Sequence, residues 1–473
     1  MARFPPRTRL LLIFLLLAAW AWRLYGLEAQ SLWRDEVDSL RFATRDLPQV
    51  LAAFTRPGEN GPLYYLLLRP WLAWMGQSEY ALRWTSVLSG VLALPLIFAW
   101  GRRLFNPAVG LIAALLLAAN PYHLWYSQEA RMYAVLGVVT MMALWSFANA
   151  IERGRWWRWL IWLALTTICI YIHVLSVLLV PLQIVWLLLI PRWRRRWRSY
   201  LLALAFLILP YLPVVWWQWA LLTDTDFNTG HPFISLQRML LTLFVAQVEG
   251  IASRPGVWIF APVIFLLLAA IFYTRQWTRA RLLTLTWWLL PPLGVFAISL
   301  FSPVFTDRYM IWTLPALLIL IAVGAYVIGR QHYWLAVIAV GILVGVQLWS
   351  GWRQMTEPIK SDFRSAVAYV NSSHKPDDVP LFLIPYIRHT YQYYDPGMHS
   401  WIDAPYANRE TDAGHLPTRL ESQTDGYAGV WLIESEADFY DEEGLTRAWL
   451  DAHGALDAEA HFARVNVYHY VLD

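Results

Sequence analysis

The sequence predicts a polytopic all-α membrane protein ending in a small α/β domain, and composition, long apolar runs and charge segregation carry that prediction. Of 473 residues, 58% are hydrophobic and 15% charged, where an average soluble domain has roughly 25% charged residues. The shift points to lipid as the solvent. Thirty residues are Trp, a side chain favoured at the bilayer interface, where its ring is buried and its N–H stays wet. The formal net charge is +4. The arginines stand in short clusters between apolar runs, so they read as topology signals and not as a nucleic-acid surface.

A helix that crosses ~30 Å of hydrocarbon needs about 20 mostly apolar residues. Eleven runs meet that need, at about 9–27, 81–100, 107–122, 130–150, 157–173, 174–190, 200–222, 256–274, 282–301, 309–329 and 332–351. Arg3, Arg7 and Arg9 precede the first run, which lacks a small-residue cleavage site and reads as an uncleaved span. With a cytoplasmic N-terminus, alternation puts Arg102, Arg103, Arg153, Arg155, Arg158, the Arg192–Arg198 cluster and Arg330 inside. Asp35, Glu36, Asp38, Glu59, Glu129 and Asp307 then fall outside, as the positive-inside rule requires. The odd span number leaves the C-terminal segment extracytoplasmic, on a protein of the plasma (inner) membrane.

Two units follow. Residues 1–351 form the transmembrane core, with a long first outer loop at 28–80. Within that loop Pro62–Met75 is too short to span and reads as an interfacial helix. The loop 223–255 holds another short surface helix. Residues 352–473 change composition, with Asp, Glu, His and Gly replacing the Leu runs. There Ser361–Ser372 and Leu445–His453 read as helices, Val379–Ile384 and Gly429–Ile433 as buried strands, and Phe462–Val471 as an alternating strand. Cys169 is the only cysteine, which excludes an intramolecular disulfide and a CxxC metal site.

The stretch Ser31-Leu-Trp-Arg-Asp-Glu-Val-Asp-Ser-Leu40 places two adjacent carboxylates, Asp35 and Glu36, just beyond the first span. Carboxylates at the membrane surface suit a general base that meets a lipid-borne substrate. Four further stretches follow: Glu59-Asn-Gly-Pro-Leu-Tyr-Tyr-Leu-Leu67, Ser78-Glu-Tyr-Ala-Leu-Arg83, Tyr126-Ser-Gln-Glu-Ala-Arg-Met-Tyr-Ala134 and Thr306-Asp-Arg-Tyr-Met310. On a helix Glu129 and Tyr133 would share a face, as would Gln128 and Arg131. Charges beside a span face a polar cavity or snorkel to the interface. Arg308 has two readings, a fork for a phosphate or an ion pair with Glu129 or Asp307. His173 ends the fifth run, where an isolated His is either an interface residue or a site residue.

As an ordered set over about residues 10–350, these stretches resemble the protein O-mannosyltransferase-like (aminoarabinose transferase-like) group of the GT-C glycosyltransferases. Asp362-Phe-Arg-Ser-Ala-Val-Ala-Tyr-Val370 is similar to the group's re-entry after its last span. The resemblance implies a GT-C fold and an inverting transfer of a sugar from a polyprenyl-phosphate carrier to a hydroxyl of a lipid, glycan or protein on the outer face. It implies Asp35 as catalytic base with Glu36 as acidic neighbour. It also implies substrate contacts from Asn60, Tyr64, Tyr126, Gln128, Glu129, Arg131, Tyr133, His173, Asp307, Arg308 and Tyr309. The group carries His-Pro-Pro before Leu-Tyr-Tyr, where this chain has Asn60-Gly61-Pro62. A divalent ion (Mg, Mn or Zn) bridging outer carboxylates and phosphate stays open. The sequence contains no Gly-rich phosphate loop and no H-E-x-x-H. The rival class is a multispan transporter or flippase, which would place ionisable residues at mid-membrane depth on broken helices, whereas the acids here gather at the outer boundary.

Overall fold

The computed structural model describes residues 6–56, 58–219, 223, 230–251, 260–272, 278–408 and 410–472. The chain divides into two compact units, Met1–Leu27 with Phe42–Gln354, and Glu28–Arg41 with Met355–Asp473. The segment Glu28–Arg41, expected with the transmembrane core, thus packs with the C-terminal residues.

In chain order the helices of the first part are α1 (Pro6–Leu24), α2 (Arg34–Thr44), α3 (Leu47–Phe54), α4 (Leu63–Met75), α5 (Glu79–Leu104), α6 (Pro107–Ala119), α7 (Pro121–Ser127), α8 (Tyr133–Arg153) and α9 (Trp156–Ile172). A 3₁₀ turn, Val174–Leu178, leads into α10 (Leu179–Leu189), followed by α11 (Pro191–Arg194), α12 (Trp197–Trp217), α13 (Leu236–Glu249), α14 (Phe260–Phe272) and α15 (Arg279–Ser299). A second 3₁₀ turn, Asp307–Thr313, opens α16 (Leu314–Gly329), and α17 is Tyr333–Thr356. A helix coincides with each of the eleven expected spans. Among the described residues six helices are long and apolar enough to cross a membrane by themselves, and a seventh span results if α6 and α7 count as one. The ends of the expected spans at 220–222, 256–259 and 273–274 lie outside the described residues. Pro62–Met75 is α4, and the surface helix expected in 223–255 is α13.

The run expected at 107–122 is broken. Helices α6 and α7 meet at 62°, because Pro121 has no N–H to continue the ladder and Asn120 restarts the helix, its Oδ1 accepting from His123 N at 2.9 Å. The carbonyls freed by the break must find other donors in a water-poor interior. Arg23, fully buried at the end of α1, supplies them: Nη2 donates to Leu117 O at 3.3 Å and Nη1 to Ala118 O at 3.4 Å. Its Nη2 also lies 2.9 Å from His123 Nδ1.

The Trp excess has two destinations. Trp74, Trp156, Trp216 and Trp334 are exposed near helix ends, as the interface preference predicts. Trp100, Trp145, Trp186 and Trp287 instead pack edge-to-face or tilted against one another in the bundle, with the Trp100 centroid 5.2, 5.9 and 5.4 Å from the other three. Small residues set the closest helix crossings, as is usual where lipid removes the hydrophobic drive between helices. A Cβ built on Gly324 would stand 1.9 Å from the Leu266 carbonyl oxygen, so α16 touches α14 backbone to backbone. Gly324→Ala is therefore expected to cost roughly 1–3 kcal/mol or more through overpacking. A Cβ on Gly341 would meet nothing within 4 Å, so Gly341→Ala should leave thermal unfolding in detergent unchanged while Gly324→Ala lowers the midpoint.

The second unit adds α18 (Phe363–Ser373), β1 (Asp378–Phe382), α19 (Arg388–Tyr394), β2 (Ile402–Asp403), α20 (Glu410–Thr424), β3 (Gly429–Glu434), α21 (Leu445–His453), β4 (Gly454–Phe462) and β5 (Val465–Leu472). The sheet order is β2-β1-β3-β5-β4; β1 pairs in parallel with β2 and β3, and β5 runs antiparallel to β3 and β4. Alternation along the strands feeds two cores. Val379, Leu381, Val430 and Leu432 pack with Leu416, Leu420 and Leu450 on one face. Phe382, Trp431 and Ile433 pack with Phe363, Val367 and Val370 on the other. The strand expected at 462–471 is β5; the helices α19 and α20, the short strand β2 and the exposed edge strand β4, rich in Ala and acids, are elements beyond those expected.

Candidate functional site

The first candidate cluster lies in the transmembrane unit, around the break between α7 and α8. Residues 128–132 form bends and a turn rather than helix, with Arg131 N donating back to Glu129 O at 2.7 Å. The expected helical pairing of Glu129 with Tyr133 and of Gln128 with Arg131 is corrected accordingly. Non-helical backbone at such a position is tolerated when protein surrounds it, and Glu129 is only 1% exposed.

Around this turn the expected residues converge. Tyr126 Oη donates to Asp307 Oδ2 at 3.4 Å, and Tyr122 Oη donates to Asp307 O at 2.7 Å. The Arg308 guanidinium lies 5.7 Å from the Tyr133 ring centre and 5.9 Å from that of Tyr309, within cation–π range. The His173 ring is 4.5 Å from Tyr309 and 6.5 Å from Tyr133. Arg131 and Arg308 both reach His173 electrostatically. Arg131 Nη1 donates to Tyr65 Oη at 3.3 Å, and its carbonyl accepts from Ser86 Oγ at 3.2 Å. Two guanidinium groups, two carboxylates, an imidazole and several phenols thus share one region of this unit, buried at Glu129, His173, Tyr126 and Tyr133 and half-buried at Arg131, Asp307 and Arg308.

Two expected residues, Gln128 and Asn60, stand apart from it, and Tyr64 lies at its edge within electrostatic reach of Arg131. Gln128 Nε2 donates to Arg23 O at 3.0 Å and Tyr25 O at 2.8 Å, tying the end of α1 in place. Tyr64 packs edge-on against Tyr65, centroids 5.4 Å apart, and it is Tyr65 that meets Arg131. Asn60 is half-buried and makes no hydrogen bond to the cluster among the described residues. Its neighbour Gly61 explains the local sequence, since a Cβ there would lie 1.9 Å from the Tyr171 carbonyl oxygen, two residues before His173. Residues missed in sequence are Tyr122, legible as the helical neighbour of Tyr126, and His231, whose ring lies 6.2 Å from Tyr309. Partial burial, and then the Arg308 charge, hold the His231 imidazole below its ordinary pKa.

The second cluster belongs to the other unit, where the segment around Asp35 is strapped down. Gln30 Oε1 accepts from Ile359 N and Lys360 N at 3.0 and 2.9 Å, Ser31 Oγ donates to Ser361 O at 2.8 Å, and Leu32 N donates to Tyr394 Oη at 2.6 Å. Glu36, 0% exposed, pairs with Lys360 Nζ at 2.7 Å. Asp35, 7% exposed, opens α2 with Arg34 Nη2 at 3.6 Å. Arg34 also pairs with Glu436 at 3.5 Å and stacks over Tyr386 at 4.7 Å. Partial burial lowers the Arg34 pKa, but Asp35 and Glu436 outweigh it, and the pKa rises, so its charge stays fixed beside Asp35. Glu436 holds this contact from a left-handed backbone conformation, φ 56°, uncommon for a residue with a side chain.

For a metal, the donors do not assemble: among the described residues no group of three or more His, Cys, Asp or Glu could hold an ion.

This architecture has known counterparts. The helical bundle with its appended α/β domain is the GT-C glycosyltransferase fold, and the chain is a multi-pass membrane protein. Residues 57–217 match the family model described as dolichyl-phosphate-mannose-protein mannosyltransferase. The fold is similar to that of ArnT from Cupriavidus metallidurans bound to undecaprenyl phosphate, with TM-score 0.62, 16% identity and 97% of each chain covered. It is also similar to the oligosaccharyltransferase AglB from Archaeoglobus fulgidus in complex with an inhibitory peptide and a dolichol-phosphate, with TM-score 0.60, 12% identity, and 98% of this chain and 74% of that one covered. An A. fulgidus oligosaccharyltransferase complex with Zn and sulfate matches at TM-score 0.57 and 11% identity, covering 97% of this chain and 72% of that one. No curated protein sequence matches the chain. The resemblance to PMT-like GT-C glycosyltransferases therefore holds in sequence over 57–217 and in fold over almost the whole chain.

Proposed function

We propose that the chain is an inverting glycosyltransferase that moves a sugar from a polyprenyl-phosphate donor to a hydroxyl acceptor on the outer face of the plasma (inner) membrane. Its N-terminus is cytoplasmic and its C-terminal domain extracytoplasmic. The observation that carries the reading is the gathering of half-buried Arg131 and Arg308 with Glu129, Asp307, His173 and the tyrosines, in a fold similar to one crystallised with undecaprenyl phosphate. Asp35 takes the acceptor O–H proton as that oxygen attacks the anomeric carbon. The bond from that carbon to the phosphate oxygen breaks, and its electron pair leaves with the phosphate. Arg308 and Arg131 stabilise the growing charge, as fixed donors do in group transfer. Glu36, locked on Lys360, positions the start of α2 and does not exchange protons with substrate. The acceptor is a lipid, a glycan or a protein.

The test is mass spectrometry of the purified full chain in lipid nanodiscs, incubated with a panel of polyprenyl-phosphate sugars and membrane extracts. Transfer appears as a mass gain on an acceptor together with free polyprenyl phosphate. A folded protein that consumes no donor in the panel overturns the reading. The broken α6–α7 span is a feature carriers share, and translocation of intact donor without cleavage would favour a flippase instead. For phosphate recognition, Arg308→Lys keeps the charge but loses the planar fork. It is expected to raise the donor KM about ten- to hundredfold, the loss of roughly 1.5–3 kcal/mol in charge-assisted hydrogen bonds. Donor-concentration curves measure it.

A further inference from the structure

Beyond the transfer site, the transmembrane unit carries an apolar groove of about 510 Å³ between α6, α16 and α17. Its walls include Ala108, Ile112, Val337, Gly341 and Val344, and Tyr326, Arg330 and Tyr333 line it where α16 ends and α17 begins. Along α17 the lining runs from Tyr333 to Val344, a rise of roughly 16 Å at 1.5 Å per residue. That is half of the ~30 Å hydrocarbon core, the depth of one leaflet. The groove begins where α16 ends, so its mouth sits at the level where headgroups meet helix ends. Tyr333 is 64% exposed there, as an interface aromatic is. The exposed Arg330 side chain makes no ion pair among the described residues.

We propose that this groove binds one anionic glycerophospholipid, an acyl chain filling the slot and Arg330 holding the phosphate. Three features select that occupant. The walls are apolar, which excludes a free phosphate ion. Arg330, the one cation lining the groove among the described residues, attracts an anionic headgroup, in the manner of basic pockets between transmembrane helices. The depth fits one ordinary acyl chain and would leave most of a long polyprenyl tail outside. By the orientation proposed above, Arg330 faces the cytoplasmic leaflet, opposite to the transfer chemistry. Small residues make the slot: Gly341 presents open space where a side chain would stand.

Native mass spectrometry of the full chain, released from detergent containing phosphatidylglycerol, phosphatidylcholine or undecaprenyl phosphate, tests this. The wild type is expected to retain one phosphatidylglycerol with about tenfold preference over phosphatidylcholine. Arg330→Gln should abolish that preference while leaving weak, headgroup-blind retention. Gly341→Trp, which adds a bulky ring at a lining position where a Cβ meets nothing within 4 Å, should abolish retention of both phospholipids. The melting temperature of each variant confirms folding, and Arg330→Gln alone decides the headgroup claim if Gly341→Trp does not fold. Undiminished phosphatidylglycerol retention in Gly341→Trp, no headgroup preference in the wild type, stronger retention of undecaprenyl phosphate, or a dimer in place of bound lipid would each overturn the proposal.

Discussion

Asp35→Asn is expected to lower sugar transfer by about 10²–10⁴-fold, the range a positioned general base contributes, or about 3–5 kcal/mol on the barrier. Asn is close to Asp in shape and cannot accept the proton that the acceptor must lose. The loss should fall on kcat, because the base acts on the acceptor hydroxyl and not on the lipid phosphate, so donor KM stays near the wild-type value. Folding should survive. Asp35 meets Arg34 at 3.6 Å, too long for a close hydrogen-bonded pair, and Arg34 is partly exposed and keeps Glu436 as a partner at 3.5 Å, so the substitution leaves the guanidinium with both water and an acid. Initial rates with a fixed acceptor, run beside a thermal melt of the same preparation, separate chemistry from stability. Wild-type transfer by a folded Asp35→Asn protein would remove Asp35 as the base and move the search to Glu129 and Asp307.

The spans were legible because lipid imposes one simple demand, a long run of apolar residues. Even the interfacial helix α4 was read within a residue, since Pro62 and Gly76 punctuate it. What escaped were the places where local chemistry overrides apolarity. Helix α2 carries Arg34, Asp35, Glu36, Asp38 and Arg41 and so has no hydropathy signal. The 128–132 turn looked helical because its charges fall at helical spacing, yet the backbone there is bent. Strand β4 was hidden because an exposed edge of Ala, Asp and Glu lacks the β-branched residues that mark strands.

The site was legible to the extent that its motifs are local. Tyr126, Glu129, Arg131 and Tyr133 fall within eight residues, and Asp307, Arg308 and Tyr309 are consecutive. That those two groups and His173 meet is a tertiary fact, set by how α7, α8 and the turn before α16 pack. The exchange of Tyr64 for Tyr65 has the same origin: which of two adjacent tyrosines faces Arg131 depends on the phase of α4, and a rotation of 100° separates them. Lys360 offered no signal at all, because its partner Glu36 lies 324 residues away.

That last contact carries the largest expected effect on stability. Glu36 is 0% and Lys360 7% exposed, and their charged atoms are 2.7 Å apart, so removing either partner takes the nearest counter-charge from the other in a poorly solvated place. Glu36→Gln or Lys360→Met alone is expected to cost about 3–5 kcal/mol, the usual consequence of breaking a buried pair. The double variant Glu36→Gln/Lys360→Met removes both charges and should cost much less than the sum, since a neutral pair in the same volume forfeits the attraction but also the desolvation. Hydrogen exchange of the full-length protein reads the effect where it belongs. Peptides covering 28–41 and 355–365 should exchange faster in each single variant and return most of the way toward wild type in the double. Additive effects of the two substitutions, or exchange in the single variants indistinguishable from wild type, would show that the segment bearing Asp35 is held by the Gln30 and Ser31 side-chain bonds to the 359–361 backbone and by the Leu32 N bond to Tyr394, and not by this ion pair.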